Sequence, residues 1–190
     1  KEFDNFYSHV PERVLIILDE AYFEYAQSKE DYPDSMTYRY DNVITLRSFS
    51  KAYGLGGIRI GYGFAHNNLI NNLLKVKAPF EPSSLAQVAG LAALDDSDFL
   101  FSSIELNKRG MEYIKKELEL LGVDYIPSVT NFITTLWESE TEATLLSKNL
   151  LEKGIIVRQL TAFGWPACIR ISIGLEKENE RFIESLKQII

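Results

Sequence analysis

The stretch RSFSKAYGLGGIRIGY, residues 47 to 62, follows an apolar run and contains two serines, one lysine, two arginines and four glycines. Glycine at this density disfavours a regular helix or strand, so the segment is predicted to be a specialised loop. Hydroxyl donors and a guanidinium fork hold a phosphate well, and Ser48, Ser50 and Arg59 supply these groups. Lys51 would then lie beside whatever the phosphate is attached to.

The individual parts of this stretch are weak signals. Serine- and glycine-rich loops after strands are common, and a lone lysine on such a loop is usually solvated. The order G-x-x-x-x-G-K-[ST] of a nucleotide phosphate loop is absent, and GLGG at residues 54 to 57 lacks the spacing G-x-G-x-x-G. Only the combination of donors, lysine and a preceding buried strand is specific.

A buried strand is predicted at RVLIILD, residues 13 to 19, because the apolar run is continuous rather than alternating. Further strands are predicted from about Asn42 and Ile58. Ligands bind at the carboxyl ends of the strands in an open parallel sheet, which is where Asp19 lies. An acid, a lysine and a phosphate cradle at this edge match pyridoxal 5′-phosphate. That cofactor needs an amine for its aldehyde, a carboxylate for its ring nitrogen and an anion clamp.

The rest of the sequence predicts helices followed by a separate α+β region. Ser84 with Gln87 fits a capping box, and Ser139 with Glu142 fits another. A long helix is predicted from Ser97 to Leu121, although Gly110 interrupts it, and Gly122 is a plausible C-cap.

We therefore expect an α/β protein with three parts. Residues 1–95 would be the C-terminal part of a large domain with a mostly parallel sheet and flanking helices. Residues 96–122 would form a connecting helix, and residues 123–190 a smaller α+β domain.

Composition excludes several classes of function. A net charge of −7 and a pI near 5.0 argue against broad nucleic-acid binding, which needs a basic face. The sequence has no membrane-length apolar segment and a single cysteine, Cys168, which makes the cytoplasm the expected location. Cys168 is expected to be a small core residue rather than a reactive thiol. His9 and His66 have no acid or cysteine at ligand spacing, so no metal site is predicted.

Three segments carry a family resemblance: DEAYFEY, RSFSKAYGLGGIRIGY and IIVRQLTAFGWPACIRISIG, in this order. They resemble the fold-type I, pyridoxal-phosphate-dependent aminotransferases, and the third segment is most similar to the histidinol-phosphate branch of that family. The resemblance runs from about residue 13 to the end of the chain. One departure is Gly56-Gly57, where relatives often have Ala-Gly.

The resemblance implies a role for each site residue. Lys51 would bind the cofactor covalently and later move a proton, while Asp19 would keep the ring nitrogen protonated. Tyr22 would donate to the phenolic oxygen of the ring. The cofactor phosphate would be held by Ser48, Ser50 and Arg59.

Two further arginines are implied to bind substrate. Arg170 would bind the carboxylate of the amino-acid partner, and Arg158 would face the substrate phosphate. For Arg158 a salt bridge at the rim of the domain remains the alternative.

The implied reaction converts histidinol phosphate and 2-oxoglutarate to imidazole-acetol phosphate and glutamate, a step of histidine biosynthesis, in a homodimer with its site at the subunit boundary. Within the class, an aromatic amino-acid aminotransferase and a threonine-phosphate decarboxylase remain open. A non-enzymatic alternative is an inactive fragment or partner-binding domain. The family's N-terminal portion has no counterpart here, so we expect the chain to be the C-terminal portion of a longer enzyme.

Overall fold

The computed structural model describes all 190 residues and divides the chain into two units, Lys1–Phe99 and Leu100–Ile190.

Unit 1 contains a three-stranded sheet and four α-helices. The helices are α1 (Glu2–Ser8), α2 (Phe23–Ala26), α3 (Asn67–Val76) and α4 (Ser84–Asp95), and a 3-10 turn covers Ser35–Thr37. The strands are β1 (Ile16–Asp19), β2 (Val43–Ser48) and β3 (Gly61–Ala65), in the order β1-β2-β3.

The first two strands are parallel, with Ile16 opposite Val43 and Asp19 opposite Leu46. The predicted strand at 13 to 19 is shorter in the structure because Val14 N donates to Pro11 O at 2.9 Å, which makes residues 11 to 14 a turn. The third strand runs antiparallel to β2. A parallel return needs a crossover of a dozen or more residues, usually a helix, and the connection at 49 to 60 contains no helix.

The cap of α4 differs from the sequence prediction. Ser83, not Ser84, is the N-cap, and its hydroxyl accepts from Ala86 N at 3.2 Å. Gln87 donates instead to the carbonyl oxygen of Pro82 at 2.9 Å. The predicted capping box at Ser84 and Gln87 is therefore wrong, because the cap lies one residue earlier and the Gln87 side chain bonds Pro82 O instead.

Unit 2 consists of helices packed on an antiparallel sheet. Its helices are α5 (Ser97–Leu120, whose first three residues belong to unit 1), α6 (Glu140–Glu152) and α7 (Glu176–Lys187). Its strands are β4 (Tyr125–Ile126), β5 (Phe132–Leu136), β6 (Arg158–Leu160) and β7 (Trp165–Ser172), in the order β4-β5-β7-β6.

One hydrophobic cluster forms the core of unit 2. Its most deeply buried members come from all three helices and the two central strands: Ile114, Leu118, Ile133, Ala143, Leu150, Ile169, Ile183 and Leu186. Ile169 and Ile171 of β7 belong to this cluster, so Arg170 between them is directed to the other face of the sheet.

The long helix α5 is continuous through Gly110. A Cβ atom at Gly110 would lie 2.5 Å from Ile173 Cγ2 and 2.7 Å from Asn179 Nδ2, so close packing accounts for the glycine. The predicted cap at Gly122 is confirmed by its left-handed φ of 68°. Ser139 is likewise confirmed as the N-cap of α6, accepting from Glu142 N at 3.2 Å.

The state of Cys168 and the apolar character of the helices were also predicted from the sequence. Cys168 is buried and unpaired, as expected for a small core residue. No helix has both the length and the apolar character needed to cross a membrane.

Candidate active site

The parallel pairing of β1 and β2 places two predicted site residues at one edge of the sheet. Both strands end at this edge, β1 with Asp19 and β2 with Ser48. The Asp19 side chain is exposed, and its Oδ1 accepts from Ala21 N at 3.1 Å, which shapes the turn into α2. The carboxylate is thus held at the sheet edge and is open to a ligand.

Lys51 lies above Tyr22 in the same region. The ammonium nitrogen of Lys51 is 5.0 Å from the centroid of the Tyr22 ring, within the range of a cation–π contact. Lys51 forms no ion pair. Its neighbours Phe49 and Ala52 are 4% and 1% exposed, so buried side chains on both sides anchor the loop that carries it.

Ser48, Ser50 and Arg59 are brought together by the loop between β2 and β3. Ser50 N donates to Ser48 Oγ at 3.0 Å. Arg59 Nη1 donates to Gly56 O at 2.8 Å and lies 3.4 Å from Ser50 Oγ. The loop is closed by backbone bonds from Phe49 N to Ile60 O at 3.2 Å and from Leu55 N to Phe49 O at 3.0 Å.

Arg59 has an unusual backbone conformation. Its φ is 60°, in the left-handed region that non-glycine residues seldom occupy. Strain of this kind is concentrated at ligand sites, where the surrounding structure holds it in place. Here the strained residue carries the guanidinium that reaches Ser50.

These donors fit a phosphate group. Two hydroxyls and one guanidinium converge on one loop, and the guanidinium has only oxygens of Gly56 and Ser50 as partners, with no carboxylate to neutralise it. A guanidinium with no carboxylate partner, beside two hydroxyl groups, is an anion-binding set. The residues present therefore fit the phosphate of the cofactor that the sequence predicts.

Sequence reasoning missed a buried ionic cluster beside this site. Arg47, 6% exposed, donates from Nε to Glu20 Oε2 at 3.0 Å and from Nη2 to Asp34 Oδ1 at 2.7 Å. Its Cζ lies 3.3 Å from the centroid of the Phe23 ring. The signal in the sequence was the charge of Arg47 inside the apolar run NVITLRSF, because a buried charge needs partners.

Three charged groups in and beside this cluster have shifted pKa values. Burial opposes the charge of Arg47, but its hydrogen bonds to Asp34 and Glu20 outweigh this effect and raise its pKa. The backbone hydrogen bond from Met36, together with Arg47, lowers the pKa of Asp34. Burial raises the pKa of Glu24, whose Oε2 has no hydrogen-bond partner.

The two predicted substrate-binding arginines are neighbours in unit 2. Arg158 on β6 and Arg170 on β7 are directly opposite each other in the antiparallel register. The Cζ of Arg158 lies 5.9 Å from the Phe163 ring, and that of Arg170 lies 5.0 Å from the Phe132 ring. Neither forms an ion pair, so the salt bridge considered for Arg158 is not formed.

No group of three or more histidine, cysteine, aspartate or glutamate side chains is arranged to hold a metal ion.

Comparison with known proteins identifies the family. The model of the aminotransferase class I and II family matches residues 1–186. The chain belongs to this family. Among curated proteins, the chain is similar to the histidinol-phosphate aminotransferase from Geobacillus sp., with 44% identity over 100% of this chain and 52% of the relative. It is also similar to the enzyme of that name from Bacillus subtilis, with 43% identity over 97% of this chain and 51% of the relative. The chain thus spans about half the length of the curated relatives it matches.

Solved structures give the same result. The chain is similar to histidinol-phosphate aminotransferase from Sinorhizobium meliloti in complex with pyridoxal-5′-phosphate, with a TM-score of 0.88 and 29% identity over 100% of this chain and 53% of that chain. It is also similar to the enzyme from Clostridium acetobutylicum, with a TM-score of 0.86 and 25% identity over 99% and 58%. The α/β fold class predicted from the sequence is confirmed.

Proposed function

We propose that the protein is a pyridoxal-phosphate-dependent aminotransferase that interconverts histidinol phosphate and imidazole-acetol phosphate, with 2-oxoglutarate and glutamate as the second substrate pair. The observation that carries this proposal is the meeting of Asp19, Tyr22 and the Ser48–Lys51 segment at one edge of the sheet. Lys51 Nζ over the Tyr22 ring at 5.0 Å is its most specific element.

Each residue at this edge has a defined task toward the cofactor. Pyridoxal phosphate, when bound, supplies an aldehyde that combines with amines and a ring that accepts electrons from the substrate carbon. Lys51 Nζ would hold the aldehyde of the cofactor and, when free, would carry a proton at the same nitrogen. Asp19 would hold a proton on the ring nitrogen, and the Tyr22 hydroxyl would donate to the phenolic oxygen.

The remaining donors bind anions. Ser48, Ser50 and Arg59 would hold the phosphate of the cofactor on the loop that also carries Lys51. Arg170 and Arg158 bind the anionic groups of the substrates. One substrate has a phosphate and no carboxylate and the other has carboxylates, so two uncompensated guanidinium groups suit both.

The choice of substrate is supported by the curated relatives, which are histidinol-phosphate aminotransferases at 40–44% identity. Threonine-phosphate decarboxylase is the second candidate. A solved structure with that name, from Porphyromonas gingivalis, has a TM-score of 0.79 but only 23% identity, which is a likeness of fold alone. Both activities need a cation for the phosphate, so Arg158 does not separate them.

We further propose a homodimer, a cytoplasmic location and the division into 1–95, 96–122 and 123–190. The homodimer rests on the family resemblance and on an exposed apolar row on α4, formed by Leu85, Val88 and Leu91. The division is supported by the two units of the structure, and the location rests on composition alone. Light scattering and cell fractionation test the first two.

The deciding experiment replaces Lys51 by alanine. In the full-length gene product we expect loss of the visible absorbance of the bound cofactor, loss of borohydride trapping on this residue, and nearly complete loss of turnover. Lys77→Ala, at an exposed lysine after α3, is the matched control. A Lys51→Ala protein that keeps the visible band contradicts the proposal.

Substrate assignment needs a second measurement. Half-reactions with histidinol phosphate and with phenylalanine distinguish the two aminotransferase activities by which amino donor reacts. Release of carbon dioxide from phosphothreonine identifies the decarboxylase. Repeating the borohydride trapping on the 190 residues alone shows whether this part of the protein binds the cofactor at Lys51 by itself.

A further inference from the structure

Arg47 is the side-chain cation of unit 1 that contacts two carboxylates, those of Glu20 and Asp34. Its guanidinium contacts Glu20 through two nitrogens, Nε at 3.0 Å and Nη2 at 2.9 Å, and also contacts Asp34 at 2.7 Å. The Cζ of Arg47 lies 3.3 Å from the centroid of the Phe23 ring and 5.4 Å from the centroid of the Phe64 ring. Arg59, by contrast, has no carboxylate partner. Arg47 is therefore a structural cation rather than a ligand for an anion.

The partners of Arg47 are adjacent in sequence to residues of the proposed site. Glu20 follows Asp19, and Phe23 follows Tyr22. Arg47 itself precedes Ser48 and lies four residues before Lys51. The side chain thus links the turn at 19 to 23 with the strand end at 47 to 51.

Backbone bonds support the same link. Glu20 N donates to Leu46 O at 2.8 Å, and Phe23 N donates to Glu20 O at 3.0 Å. Asp34 ties the connection between α2 and β2 to the other side of the guanidinium, while its own Oδ1 accepts from Met36 N at 3.0 Å. Arg47 is the one side chain that joins all three segments through charged hydrogen bonds.

We propose that Arg47 is a positioning residue that keeps the turn with Asp19 and Tyr22 in register with the loop that carries Lys51. The inference rests on the proposed function, because the register matters only if these groups act on one ligand. A misplacement of about 1 Å in such a site reduces the rate on the order of 100-fold. A planar guanidinium suits this task because it binds two carboxylates and stacks on a ring at the same time.

The test compares Arg47→Lys and Glu20→Gln with Arg39→Lys. Lysine keeps the charge but, as a point charge, does not hold Glu20, Asp34 and Phe23 together. Glu20→Gln keeps the volume and an acceptor oxygen, so it is the milder change if Arg47→Lys does not fold. Arg39 is an exposed arginine that donates only to the carbonyl oxygens of Met36 and Tyr38, which makes it a matched control.

The first readout needs no cofactor. Hydrogen–deuterium exchange of the cofactor-free protein is expected to rise at residues 19 to 23 and at 48 to 51 together in both variants. A role confined to global stability changes exchange throughout unit 1 instead, with no concentration in these two segments.

The second readout uses the cofactor-loaded full-length gene product. Tyr22 would donate to the phenolic oxygen of a cofactor held by Lys51, so a displaced Tyr22 would donate less well there. We expect the pH midpoint of the visible absorbance to rise by about half a unit or more, and kcat to fall about 10-fold, while KM changes less than threefold. Arg39→Lys is expected to match the wild type.

The outcomes separate the two proposals. Wild-type protein that binds no cofactor at Lys51 overturns the proposed function and this inference with it. Wild-type protein that binds cofactor, together with a folded variant showing the wild-type absorbance profile, kcat and local exchange, overturns the positioning role of Arg47 alone. When Arg47→Lys does not fold, Glu20→Gln decides in the same way.

Discussion

Arg158 and Arg170 face each other across the antiparallel strands β6 and β7, and neither guanidinium has a carboxylate partner. Like charges directly opposite each other destabilise a sheet by a few tenths of a kcal/mol up to about 1 kcal/mol. A fold that keeps such a pair without compensation is typical of a site for an anionic ligand. The pair thus links the stability of unit 2 to its proposed binding role.

Arg158→Gln is therefore expected to stabilise the fold and weaken function. Removing one of the two charges relieves the repulsion, so the free energy of unfolding rises by about 0.5 kcal/mol in urea denaturation. The KM for the phosphorylated substrate rises about 10-fold or more, since one charge-assisted contact is lost. Arg181→Gln removes the same charge, but Arg181 Nη2 donates to Lys153 O at 2.7 Å, so this control is expected to be destabilised. A loss of stability in Arg158→Gln contradicts the repulsion.

Arg59→Gly, like Arg158→Gln, is expected to weaken ligand binding without a loss of stability. Glycine adopts the φ of 60° without a steric penalty, so the cofactor-free protein should not lose stability, although the guanidinium is gone. Affinity for pyridoxal phosphate should fall about 10- to 100-fold, which is the loss of one strong hydrogen-bonding cation. Fluorescence titration of the cofactor measures the affinity, and thermal unfolding without cofactor measures the stability. Unchanged affinity in this variant removes Arg59 from the phosphate site.

The sequence alone predicted that several residues of the candidate site lie close together. A continuous apolar run ending in Asp19, and the order of Ser48, Ser50, Lys51 and Arg59, located the residues that the structure brings to one sheet edge. The direction of β3 could not be predicted, because an apolar run contains no information about strand direction. The connection at 49 to 60 determines it by containing no helix.

The ionic cluster was missed for a different reason. Glu20 and Asp34 are ordinary acids in the sequence, and the charge of Arg47 inside an apolar run does not say which acids it pairs with. Only the fold places Glu20 Oε2 and Asp34 Oδ1 within 3.0 Å of the same guanidinium. Sequence patterns at helix or strand spacing do not describe contacts between residues 13 and 27 positions apart.

Glu24→Gln is expected to stabilise the protein in a pH-dependent manner. Glu24 is 3% exposed, and burial raises its pKa above the ordinary value of 4.5. The folded state therefore binds this proton more tightly than the unfolded state, and stability falls as the pH rises from 4.5 through the raised pKa. Glutamine removes the charge, so the gain should be about 1 kcal/mol at pH 8 and close to zero at pH 4.

The control for this prediction is Glu30→Gln, which removes the same charge from an exposed side chain. Urea denaturation across the pH range measures both variants. Equal gains in Glu24→Gln and Glu30→Gln would mean that the overall negative charge of the chain, rather than the burial of Glu24, causes the effect.

Gly110→Ala is expected to destabilise the protein even though alanine is the better helix former by about 1 kcal/mol. The new Cβ atom would lie 2.5 Å from Ile173 Cγ2 and 2.7 Å from Asn179 Nδ2. Asn179 cannot move freely, because its amide bonds both the N–H and the carbonyl oxygen of Gly174, at 2.9 and 3.0 Å. Overpacking of this kind costs about 1–3 kcal/mol, so a net loss of about 1 kcal/mol is expected in thermal or urea unfolding.

Gly90→Ala provides the contrast within α4. Its Cβ would lie 2.9 Å from Ile60 Cδ1, the far end of a flexible side chain that can rotate away. The helix propensity gain is then kept, so Gly90→Ala is expected to be neutral or slightly stabilising. If both variants change the free energy of unfolding by the same amount, the contacts of Gly110 with Ile173 and Asn179 are not what requires glycine in α5.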